Sequence, residues 1–226
     1  MKLNARQLRQ LKQPEKTPIV KRFPIYFILE NIYDTYNVGG LFRLADALVI
    51  EKIYLCGETE TPPNHKIKKA SVGTDKVVDW KYKKGAKEAI EDLRKQLQRS
   101  QKTEDRNQKS ENGRQNSNNQ FSDLSDFRSP SSDVSDLSDI QVVAVEQHPK
   151  ALPYFKAPYQ LPLALIFGNE TFGILPETLK LANQIVEIPM FGVNKSLNVI
   201  VSAAVVGYHI ILATAAKAKK TKPKKA

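Results

Sequence analysis

The sequence predicts an α/β fold, a mostly parallel sheet of six strands with helices on both faces. Short β-rich runs alternate with amphipathic helical patterns along the chain, the order that a parallel sheet needs between its strands. With 226 residues, 41% of them hydrophobic, one domain of ordinary size has enough apolar material for a buried core. The most apolar run, 197–213, is about 17 residues and is broken by Asn198, Ser202 and His209, short of the roughly 20 that span a bilayer. It reads as a buried helix, and no membrane association is expected.

Taken in order, the first strand is expected over 25–31 (IYFILEN), nearly continuous in apolar character as a strand covered on both faces should be. A helix over 38–48 follows, then strands over 52–56 and 77–82, rich in β-branched and aromatic residues. A helix over 86–97 places Ala86, Ala89, Ile90, Leu93 and Leu97 on one face. Strands over 141–146 and 163–167 precede a short helix over 176–182, opened by Pro176 at a position where proline is preorganised for a helix. The sixth strand, 185–188, leads to a last helix over 197–215.

Residues 99–139 are rich in Ser, Asn, Gln and Asp and almost free of aliphatic periodicity, so they cannot bury enough surface to offset their chain entropy. They are expected to form a disordered, low-complexity insertion. It divides a domain of residues 23–98 and 140–212.

The formal net charge of +11 is unevenly placed. Residues 1–22 carry seven basic and one acidic group, and residues 213–226 carry six Lys and no acid. Two basic ends on a nearly neutral body suit a polyanion such as RNA or DNA, because each neutralised phosphate releases counterions; Lys-rich ends that only aid solubility are the alternative. The single Cys56 cannot form an internal disulfide, and His65, His148 and His209 are too scattered for a zinc site, so no metal and a reducing, cytoplasmic setting are expected. The charged start lacks the apolar stretch of an export signal.

Three segments at strand ends carry unusual chemistry, and ligands of open parallel sheets bind beyond those ends. In NIYDTYNVGGLFRLAD, 31–46, Asn37 stands where a helix cap would, Gly39 and Gly40 allow close approach of another chain or a ligand, and Arg43 is expected on the same early helical face. An arginine there can grip a phosphate with its planar fork, or be an ordinary surface residue. In LALIFGNETFGILPETL, 163–179, Gly168 leaves room for a flat ligand, and Glu170 is expected to pair with Arg43; neither a GxxxxGK[ST] loop nor GxGxxG is present. In VEIPMFGVNKSLNVIVSAAVVGYHI, 186–210, Ser196 is either a helix cap or a ligand contact, and Asn198 is out of place in so apolar a helix.

The order NxGGLFR, FGNExxG and IPMxGxxxSLN resembles the SpoU family of S-adenosylmethionine-dependent RNA 2′-O-ribose methyltransferases, a branch of the SPOUT superfamily, over about residues 24–212 without the insertion. The resemblance implies a C-terminal trefoil knot, a homodimer packed through the knotted side, and a tRNA or rRNA substrate, tRNA slightly favoured. It implies catalytic roles for Asn37, Arg43, Glu170, Ser196 and Asn198, and a cofactor pocket made by Gly168, Asn169, Glu170, Ile188, Pro189, Met190 and Leu197, with the strand end Ala144 to Glu146 beside it. Arg43 stays protonated, which suits a phosphate clamp and oxyanion stabiliser better than a base, although both roles are open. Glu170 would fix Arg43, Asn37 and Ser196 would orient Arg43 or the ribose, and Asn198 would brace the knot loop.

A basic run holds Lys66, Lys68 and Lys69, with Lys76, Lys81, Lys83 and Lys84 further along. These are RNA backbone contacts by the resemblance, or solvated surface. The rival from another class is an RNA-binding protein on the same scaffold without catalysis. A nucleotide-dependent oxidoreductase would need a glycine fingerprint that NVGGLFR lacks.

Overall fold

The computed structural model describes residues 22–108 and 140–220. Strands β1 (Phe23–Glu30), β2 (Ile50–Cys56), β3 (Asp79–Lys83), β4 (Gln141–Val145), β5 (Leu152–Pro153), β6 (Leu163–Phe167) and β7 (Gln184–Glu187) form one sheet in the order β3-β2-β1-β6-β4-β7-β5. All neighbouring pairs are parallel. Five helices accompany them: α1 (Thr35–Ala47), α2 (His65–Ser71), α3 (Ala86–Gln108), α4 (Pro176–Leu179) and α5 (Val199–Lys220).

Alternation along the strands divides the core in two. Ile25, Phe27 and Leu29 of β1, with Leu163, Leu165 and Phe167 of β6, face Val38, Leu41 and Phe42 of α1 and Val199, Ala203 and Val206 of α5. Tyr26, Ile28, Ala164 and Ile166 point the other way, against Ala86, Ala89, Ile90 and Leu93 of α3. The expected sandwich of helices on both faces is therefore present. Because every strand is parallel, the ends of β1, β4, β6 and β7 lie along one edge of the sheet.

The structure has seven strands where six were expected. β5 is two residues long, sits at the edge and includes Pro153, which a strand pattern demotes. Helix α2 is also absent from the sequence reading, since only Ile67 and Ser71 of its seven residues are buried and too little periodicity remains to detect. Asn64 caps it, its Oδ1 accepting from Lys66 N and Ile67 N at 2.9 and 3.3 Å.

Several boundaries shift, and α5, expected over 197–215, runs to Lys220 into the Lys-rich tail expected from residue 213. Helix α3 runs to Gln108, ten residues into the expected insertion, because RSQKTEDRNQ lacks a core face yet contains no Gly or Pro to stop a helix. The remainder of the insertion, 109–139, lies outside the described residues, as do 1–21 and 221–226. Arg22, counted with the basic arm, is structural: its Nη1 donates to Ile50 O at 2.9 Å and its Nη2 to Val77 O at 3.1 Å, tying β2 to the turn before β3.

Candidate active site

The loop after β6 is held from several sides. Asn169 and Gly173 exchange backbone hydrogen bonds of 3.2 and 2.8 Å. The Asn169 side chain accepts from Thr171 N and Phe172 N, at 2.8 and 3.0 Å, and donates to Asn31 O at 3.1 Å. Glu146 accepts from Ile174 N, and the buried Glu30 accepts from Leu175 N and from the Thr178 hydroxyl. Gly173 has φ +71°, and a Cβ there would meet Glu146 Oε2 at 2.5 Å. Gly168 makes room for its own chain, since a Cβ would run into the Gly173 and Ile174 backbone. The expected space for a flat ligand at that glycine is thus already filled.

The glycines of α1 are used in the same way. A Cβ on Gly39 would meet Ala70 Cβ of α2 at 2.5 Å, and one on Gly40 would strike Ile200 of α5. Asp34, not Asn37, caps α1 by accepting from Tyr36 N at 2.8 Å. Asn37 is left in the first turn, only 7% exposed, with its amide free for long-range partners.

Those partners define the site. Asn37 Nδ2 donates to Glu170 Oε1 at 2.5 Å, and Asn37 Oδ1 accepts from Asn198 Nδ2 at 2.9 Å. The chain Glu170, Asn37, Asn198 joins the β6 loop, α1 and the start of α5. Asn198 lies just before α5 and caps it through Oδ1, which accepts from Ile200 N at 2.8 Å. Its presence beside so apolar a helix is therefore explained by two duties. Ser196 does not cap; it lies in the preceding loop and lines the cavity described below.

Arg43 does not join this group. Glu170 is taken by Asn37, and six residues along a helix leave Arg43 about 120° round the axis from Asn37. It is exposed, outside the cavity lining, and makes no hydrogen bond or ion pair among the described residues.

Beside the three-residue chain is a cavity of about 380 Å³ at the ends of β4, β6 and β7. Of the residues that the resemblance places at a cofactor, Gly168, Asn169, Glu170, Ile188, Met190 and Leu197 line this cavity and Pro189 and Ala144 do not; Ser196 lines it as well. Ala144 is fully buried on the α3 side of the sheet, and by alternation Val145 is the neighbour that turns to the cavity, with Glu146 next to it. Phe172, Lys195 and Glu187 also line it, although sequence reasoning singled out none of them. The first two lie inside the quoted motifs, at positions treated as variable. The cavity has room for a small organic ligand and offers it apolar side chains together with many polar groups, Glu146, Glu170, Glu187, Lys195 and Ser196 among them.

Lys66, Lys68 and Lys69 are exposed on α2. Lys81 and Lys83 both pair with Asp92, at 2.9 and 2.8 Å, and Lys81 is still exposed. Desolvation pushes the Asp92 carboxyl up, but hydrogen bonds from Lys83, Lys81 and Tyr54 outweigh it and lower its pKa to about 2. Cys56 is buried within the sheet, where desolvation pushes its thiol well above the ordinary range. Among the described residues, no cluster of His, Cys, Asp and Glu could hold a metal ion, and no helix is long and apolar enough to cross a membrane.

The profile of the SpoU rRNA Methylase family matches residues 24–119 and 101–208. The chain is 34% identical over 68 residues to a tRNA (guanosine(18)-2′-O)-methyltransferase of Aquifex aeolicus (30% of this chain and 32% of that protein) and 36% identical over 69 residues to the protein of that name in Escherichia coli K12 (30% of each). The matched stretch thus spans about a third of these relatives. Among solved structures, the fold resembles the SpoU methyltransferase AviRb of Streptomyces viridochromogenes, with TM-score 0.61 and 19% identity over 87% of this chain and 62% of that one. It also resembles the Aquifex aeolicus TrmH/SpoU tRNA modifying enzyme, with TM-score 0.59 and 18% identity over 98% of this chain and 88% of that one.

Proposed function

The chain belongs to the SpoU rRNA Methylase family, and from that premise we propose that it methylates the 2′-hydroxyl of a ribose in RNA with S-adenosylmethionine, tRNA being the favoured substrate over rRNA. The observation that carries this reading is the hydrogen-bonded chain Glu170, Asn37, Asn198, which reaches the cavity through Glu170 and unites residues from all three motifs. S-adenosylmethionine supplies an electrophilic methyl group on a sulfonium sulfur. The cavity fits such a cofactor in size, and Ile188, Met190 and Leu197 offer apolar wall while Gly168 and Asn169 offer backbone.

The residues of the chain position the acceptor. Glu170 and Asn198 hold the Asn37 amide in one orientation, so it meets an incoming ribose without reorganising, and the Ser196 hydroxyl lies on the cavity wall beside it. Arg43, exposed and with no partner among the described residues, is available to clamp a neighbouring phosphate of the RNA outside the cavity. Lys66, Lys68 and Lys69 add backbone contacts. The basic ends, without Arg22, add salt-dependent affinity, so removing residues 1–21 and 221–226 flattens the salt dependence of RNA binding and leaves cofactor binding intact.

We extend the reading to the family's C-terminal trefoil knot, to a homodimer packed through that side and to a cytoplasmic setting. Support for the dimer comes from α5, where Val201, Tyr208 and Leu212 are exposed and where His209 packs on Tyr154, next to the exposed Phe155. Sedimentation of Tyr208→Glu should show a monomer.

Methyl transfer from labelled S-adenosylmethionine to a tRNA pool, followed by digestion to nucleosides, tests the function. A labelled 2′-O-methyl nucleoside is expected. RNA binding without transfer would favour the non-catalytic binding protein instead.

A further inference from the structure

Phe172 is 77% exposed yet lines the cavity, two residues from Glu170. Its backbone is not free to tuck the ring away: Asn169 Oδ1 accepts from Phe172 N at 3.0 Å, the Asn169 and Gly173 bridge closes the loop, and Gly173 is fixed against Glu146. A large aromatic side chain is thus held in water by a loop that many hydrogen bonds make rigid. The apolar cofactor wall is already provided by Ile188, Met190 and Leu197, on a different loop. What remains for an exposed ring on a fixed backbone, two residues from Glu170, is a flat partner arriving from solvent with the acceptor ribose.

We propose that Phe172 is a positioning residue that stacks on an unpaired RNA nucleobase at the acceptor site. The inference rests on the proposed RNA reading and deepens it: the acceptor nucleotide lies in a loop or single strand, because a base within a duplex offers no free face. Any base can use the ring, so Phe172 contributes affinity and alignment rather than sequence choice.

The test compares wild type, Phe172→Ala and Phe172→Trp. With a transcribed tRNA pool, Phe172→Ala should raise KM for RNA at least tenfold, leave the Kd for S-adenosylmethionine within twofold, and keep the thermal midpoint; Phe172→Trp should restore KM to within threefold. A binding arm uses a ten-nucleotide RNA and its counterpart with abasic sites. Wild type should lose affinity on the abasic RNA, and Phe172→Ala should bind both alike. Equal losses in both proteins on the abasic RNA, a cofactor Kd that weakens with unchanged RNA KM, or a dimer that dissociates in sedimentation would each overturn the assignment. The binding arm works without methyl transfer, so inactivity of wild type would count against the function while the stacking is still judged.

Discussion

Two loops line the same cavity, and they are held very differently. Residues 168–175, after β6, are tied by the Asn169 amide, by Glu146, by Glu30 and by their own backbone. Residues 188–197, after β7, make no backbone-to-backbone hydrogen bond outside helices and strands among the described residues, and within the loop Ser196 N reaches Asn194 Oδ1 at only 3.4 Å. Phe191 there is 97% exposed. The fixed loop carries the acid whose position matters to within a hydrogen bond; the loosely held one carries the apolar side chains, whose contacts are non-directional and tolerate adjustment. Asn198 joins them through Asn37.

The contrast is broken most severely at Asn169. Asn169→Ala deletes three hydrogen bonds and leaves Thr171 N and Phe172 N without their acceptor, a loss of about 2 to 4 kcal/mol in unfolding experiments. Methyl transfer should fall on the order of a hundredfold as Glu170 loses its place.

A matched glycine pair sharpens the comparison next. Gly173→Ala forces a side chain into a positive φ and against Glu146, so it should cost about 1 to 3 kcal/mol by thermal or urea melting. Gly192→Ala meets nothing within 4 Å and should stay within about 0.5 kcal/mol of wild type.

Unhooking the loops is expected to act more on rate than on stability. Asn198→Ala removes the cap of α5, worth about 1 kcal/mol, and frees the Asn37 amide, so the loss in kcat should exceed tenfold while Tm falls by only a few degrees.

The smallest effect lies outside both loops. The Asp92 pKa is lowered in the fold to about 2, so the stabilisation by Lys81 and Lys83 is full above the ordinary carboxylate range and fades as pH falls from about 4 through 2. Asp92→Asn should flatten that part of a pH and stability profile and leave methyl transfer at neutral pH unaltered.

How much of this was legible in the chain depends on range. The LALIF run is a strand with the expected ends, because a five-residue apolar stretch before glycine is a local signal. β5 was not legible: two residues with a proline form a strand only because β7 lies beside them. At the site, the residue types and their order were readable, yet three local inferences failed. Asn37 looked like a cap, but Asp34 three residues earlier won that role. Ala144 was assigned to the pocket, but strand parity gives the position to Val145. Glu170 was paired with Arg43, but its partner is Asn37.

By itself, then, the sequence determined the alternating α/β order, the strand ends where chemistry gathers, and the three motifs that identify the family. These depend on periodicity and on neighbours within a few residues, which the chain spells out directly. Only the tertiary structure decided which polar group meets which. The bonds from Asn37 to Glu170 and to Asn198 span 133 and 161 residues, and no local pattern encodes a partner that far away. Burial selects it: once Asn37 is enclosed at the sheet edge, its amide must find partners there, and Glu170 and Asn198 are the groups that the fold brings within reach.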